Sequence, residues 1–92
     1  MCELKKDISE QAIDRLIMKV RAYIEAGKTV QIMHSKKDNA YYEQIVREIM
    51  QLEEKSAAAQ LAGNTTAVSM ANYKIQVRRN MIGEKVNAYK YE

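Results

Sequence analysis

The stretch SAAAQLAGNTTAVSMA, residues 56–71, decides how this chain folds. Ala57, Ala58, Ala59 and Ala62 end a helix that runs up to Gly63. Glycine enters the left-handed backbone region without a Cβ penalty, which makes Gly63-Asn64 a helix stop. Thr65 or Thr66 then offers an N-cap hydroxyl for a new helix. So short a turn folds the two helices back as an antiparallel hairpin. The small residues on both sides of it, including Ala67 and Ala71, let the helices approach closely.

Upstream of the turn, Tyr42, Ile45, Ile49, Leu52, Ser56 and Ala59 alternate spacings of three and four, a heptad seam. The spacing predicts a helix over 39–62, capped by Asp38. Val46, Met50, Ala57 and Leu61 widen the seam to roughly half the circumference, enough to contact more than one neighbour. Downstream, a helix is expected over 66–89. Its apolar stripe is Val68, Ala71, Ile75, Ile82, Val86 and Tyr89, and a second stripe holds Met70, Val77, Met81 and Ala88. Folding about Gly63 sets Ala59 beside Val68, Ser56 beside Ala71, Leu52 beside Ile75, Ile45 beside Ile82 and Tyr42 beside Val86. Gly83, inside this helix, costs roughly 1 kcal/mol against alanine.

At the other end of the chain, Ile13, Leu16, Ile17, Val20, Tyr23 and Ile24 form one clean stripe on a helix over 8–26. Asp7 with Glu10 reads as its capping box and Gly27 as its C-cap. Residues 27–38 form a connector. Val30 and Ile32 alternate as in a strand, but no second strand is available for pairing. Ser35 to Asn39 reads as a loop ending in a cap. The fold class is therefore all-α: a three-helix protein with a shorter N-terminal helix and a long antiparallel helical hairpin, expected to be oligomeric.

Composition supports that expectation. At 92 residues the chain is one small domain with a thin core. Such domains often need a staple or a partner. Cys2 is the only cysteine, so no disulfide forms within the chain, and one Cys with one His (His34) falls short of a structural zinc site. The absence of proline permits long helices. The N-terminus has no apolar run behind Lys5-Lys6, and no apolar stretch is long enough to span a bilayer. With the free cysteine, this points to the cytoplasm.

Catalytic candidates are few. His34 has no nucleophile or carboxylate at motif spacing. Gly27-Lys28-Thr29 resembles the end of a phosphate loop, but Ala22 stands where the first glycine belongs and a helix precedes it. Glu-x-x-His repeats for a di-metal site are absent. The expectation is a non-enzyme without cofactor or metal.

Charge gives two functional readings. Residues 1–37 hold 8 basic and 5 acidic side chains, residues 38–63 hold 2 and 5, and residues 64–92 hold 5 and 2. An acidic helix thus lies beside a basic one, and their edges can pair. Lys74, Arg78 and Lys85 form a ridge between the two stripes of the third helix. Its plain reading is long stems snorkelling over apolar surface, with charges in water or paired to glutamates.

On the first functional reading, the chain is a small helical interaction protein: a regulator, inhibitor or adaptor that self-associates and binds a protein partner. Excess apolar helix face motivates it. The self-association candidates are Met18, Val46, Met50, Leu61, Met70, Val77 and Met81, since methionine adapts readily to partner surfaces. The alternative is an anion-binding module for RNA, DNA or a small nucleotide. It would use Lys74, Arg78, Arg79 and Lys85 with Lys36, Lys37, Tyr41 and Lys90 at a tyrosine-rich end.

Overall fold

The computed structural model describes residues 10–90, with side chains described as far as residue 86. Three helices make up the fold: α1 (Glu10–Glu25), α2 (Lys36–Leu61) and α3 (Thr65–Lys90). No strand forms among the described residues. The Asp7 cap and the start at Ile8 lie outside them.

Both glycine stops adopt the expected geometry. Gly27 has φ +70° and Gly63 φ +75°. After α1, the Lys28 N–H donates to the Tyr23 carbonyl at 2.9 Å and the Gly27 N–H to Ile24 at 3.0 Å. After α2, Asn64 donates to Ala59 at 2.9 Å and Gly63 to Gln60 at 3.1 Å. These paired bonds satisfy carbonyls that a helix end otherwise leaves without a partner.

The N-caps differ from expectation. Ser35, not Asp38, caps α2: its backbone is extended and its Oγ accepts from the Asp38 N–H at 3.3 Å. The helix therefore begins three residues before Asn39, and Asp38 sits in its first turn, where a carboxylate favours the helix dipole. Asn64 rather than Thr65 or Thr66 caps α3, its Oδ1 accepting from the Ala67 N–H at 3.0 Å. Asn64 thus closes one helix with its backbone and opens the next with its side chain.

The core joins all three helices. Ile13, Ile17 and Val20 of α1 meet Tyr42, Ile45, Val46 and Ile49 of α2 and Ile82 of α3. Burying such a side chain fully contributes about 1.5–3 kcal/mol. α2 and α3 pack closely, with Asp38 paired to Lys85, Glu48 to Arg78, and Ser56 hydrogen-bonded to Asn72. Numbers rise along α2 as they fall along α3, which is consistent with the antiparallel hairpin read from the turn. Ser56 and Ala71 are both buried there. Gly83 is buried within an unbroken α3.

The connector is not a passive loop. Val30 is fully buried in the same core, and Ile32 and Met33 pack against it. Asn39 holds that segment down. Its Oδ1 accepts from the N–H groups of Ile32 (3.1 Å) and Met33 (2.7 Å), and its Nδ2 donates to the Met33 carbonyl (3.0 Å). One side chain on the first turn of α2 thereby satisfies three backbone groups that have no ladder to join.

Candidate functional site

The basic residues of α3 are largely engaged. Arg78 donates from Nε to Glu48 at 2.9 Å and from Nη1 to the Lys74 carbonyl at 3.1 Å. Arg79 turns to the opposite flank, where it pairs with Glu10 and, at 2.6 Å, with Asp14. Its side chain is only 19% exposed. Burial disfavours its charge, but the two carboxylates of α1 more than offset that and hold its pKa above the ordinary arginine value. Lys85 pairs with Asp38 at 3.1 Å and lies over the Tyr41 ring, 4.9 Å from its centroid. Tyr41 also meets Tyr42 edge-on, with centroids 5.7 Å apart.

The anion-binding candidates therefore separate into groups. Arg78, Arg79 and Lys85 carry carboxylate partners from α1 and α2. Lys74, Lys36 and Lys37 are exposed and form no ion pair among the described residues. The side chain of Lys90 lies outside the described residues. Arg79 does not join the ridge of Lys74, Arg78 and Lys85; it clasps α1 to α3.

The self-association candidates divide as well. Val46 is fully buried, so its apolar surface is used within the single chain. Met50 and Met81 are half-buried against the core, and Val77 is half-buried. Arg21 of α1 reaches Glu53 of α2, three residues beyond Met50, at 3.2 Å. Eight residues further along α2, Leu61 is 93% exposed. Met18 and Met70 are also exposed, at 67% and 53%.

Tyr73 escaped the sequence reading and is 68% exposed. It stands three residues after Met70 and four before Val77, so Met70, Tyr73 and Val77 continue a seam spacing on the outer side of α3. The signal was present in that spacing. Met70 also lines a shallow groove of about 300 Å³ with Leu52, Ala67, Ala71, Lys55 and Lys74.

No protein-family model matches the sequence, and no curated protein or solved structure is detectably similar to it. Function must be argued from these surfaces alone. Among the described residues, no helix is long and apolar enough to cross a membrane. No group of three or more His, Cys, Asp or Glu side chains among them is placed to hold a metal ion.

Proposed function

We propose that this chain is a non-enzymatic helical interaction protein, a regulator, inhibitor or adaptor. Its unit is an antiparallel α2–α3 hairpin braced by α1, which self-associates and binds a protein partner in the cytoplasm. The observation that carries this reading is the exposed apolar set Leu61, Met70 and Tyr73. Large apolar side chains left in water, two of them (Met70 and Tyr73) at helical seam spacing on α3, suit an interface. The anion-binding alternative is weaker, because Arg78, Arg79 and Lys85 already hold carboxylates. A phosphate at those positions would first have to displace them.

Sedimentation velocity over a micromolar concentration series tests the assembly. The chain should sediment as an oligomer, and a double substitution Met70→Glu with Tyr73→Glu should return it to monomer. Both positions are exposed on a helix, so the fold tolerates the change; circular dichroism of the variant checks that. A wild-type chain that stays monomeric at every concentration would overturn the proposal.

A further inference from the structure

The structure carries a second surface, separate from the outer seam of α3. Leu16, Lys19, Ala22 and Tyr23 of α1 face Ile32 and Met33 of the connector across a groove of about 530 Å³. A smaller depression of about 220 Å³, lined by Ala22, Tyr23, Ala26 and Lys28, shares two of those residues and extends the groove along α1. From Leu16 to Ala26 is ten residues, about 15 Å of helix at 1.5 Å per residue. That length suits a helical segment of about three turns. The floor is apolar: the ring of Tyr23, whose hydroxyl is tied to the Gln31 carbonyl at 3.4 Å, with Leu16, Ile32 and Met33.

The side chains lining this groove carry charge of one sign, with Glu25 bordering the next depression across Ala22. Lys19 and Lys28 line it, and Arg15 stands one helical turn before Lys19 on the same edge. All three are exposed, and none forms an ion pair among the described residues. No carboxylate lines either depression. The acids at the start of α1, Glu10 and Asp14, are held on the other flank by Arg79. Arg78, Arg79 and Lys85 of α3 are paired internally, whereas Arg15, Lys19 and Lys28 face outward around an apolar floor.

We infer that the groove between α1 and the connector binds an acidic amphipathic helix of a partner protein. Apolar anchors at positions i, i+3, i+4 and i+7 would seat on Leu16, Tyr23, Ile32 and Met33. Flanking glutamates would meet Arg15, Lys19 and Lys28. The assignment to an acidic segment rests on charge complementarity, which sets partner choice and association rate at an interface rim. It deepens the protein-binding reading above and names the chemistry of the partner.

The test uses the full-length chain, labelled with ¹⁵N, and a synthetic helical peptide with leucines at those four positions and glutamates between them. A matched peptide with lysines in place of the glutamates is the control. The acidic peptide should shift the amides of Ala22, Tyr23, Ile32 and Met33, and its affinity should fall with added salt. Lys19→Glu with Lys28→Glu should weaken it at least about tenfold. Lys55→Glu with Lys74→Glu, on the α2–α3 groove, should leave it unchanged. Equal binding of the lysine peptide, shifts confined to Leu61, Met70 and Tyr73, or no binding at all would overturn the inference. So would displacement of the peptide by a DNA oligonucleotide at equal charge concentration, which would assign the cations to phosphate. Sedimentation of the same samples keeps the two proposals apart, because loss of peptide binding with self-association intact defeats only this one.

Discussion

Arg78 donates from Nε to Oε1 of Glu48 across 2.9 Å, although the two residues stand 30 positions apart in the chain. The pair sits between α2 and α3, and both side chains are about one-third exposed or less. The plain reading of the ridge, a cation paired to a glutamate of the neighbouring helix, holds for Arg78, which thereby joins α2 to α3.

This pair sets a pH dependence. The Glu48 pKa lies below its ordinary 4.5, first because Gln44 donates to the carboxylate and then because Arg78 does, while burial opposes both. A carboxyl whose folded pKa is depressed contributes stability above its unfolded pKa and loses it as pH falls through the folded value. Urea midpoints should therefore drop below about pH 4.5. Glu48→Gln should flatten that part of the curve and cost under about 1 kcal/mol at neutral pH, as expected for a pair still reached by solvent. An acid limb equally steep in the variant would show that Glu48 is not coupled to folding.

Asn39 is the next test. Its side chain serves two N–H groups and one carbonyl of the connector. Asn39→Ala leaves these partly buried groups without partners and should cost about 1–3 kcal/mol in urea unfolding. Asn39→Asp keeps the acceptor but loses the donor and should fall between. Alanine tolerated at no cost would mean that water replaces the amide.

Val30 lies in the core although it belongs to no helix. Val30→Ala should destabilise by about 1–3 kcal/mol through lost burial and the cavity left behind. Its exposed neighbour Thr29 should tolerate alanine within about 0.5 kcal/mol. Comparable losses at the two positions, measured by thermal or urea melts, would contradict the burial.

Gly63 isolates a purely conformational cost. A Cβ built at this position meets nothing within 4 Å, yet φ is +75°. Gly63→Ala should therefore cost about 1 kcal/mol from the left-handed backbone alone. Gly63→Asn should cost less, since asparagine visits that region more readily. A loss well above this range would point to a steric role the geometry does not contain.

The helices were legible because a 3.6-residue period survives in sequence, and the burial of Ser56 and Ala71 with the Ser56–Asn72 hydrogen bond is consistent with the register read from Gly63. The caps were harder to read. Ser35 and Asp38 are both cap formers at adjacent candidate starts. The deciding signal was the spacing Ser35-x-x-Asp38, a serine followed three residues later by an acid. The burial of Val30 was only hinted at: Val30 and Ile32 alternate, but with no second strand for pairing the sequence does not fix which residue turns inward. The partners of Arg79 were hidden. They lie on α1, and the crossing of α1 over the other helices depends on packing that no local pattern encodes. Tyr73 was legible in the sequence, three residues after Met70 and four before Val77.

The clamp formed by Asn39 also gives the connector a timetable. The amide protons of Ile32 and Met33 are held by a side chain that belongs to α2. They can exchange with solvent only when that side chain lets go. In a hydrogen-exchange experiment two amides outside any helix should therefore exchange in step with the first turn of α2, and serve as reporters of its opening.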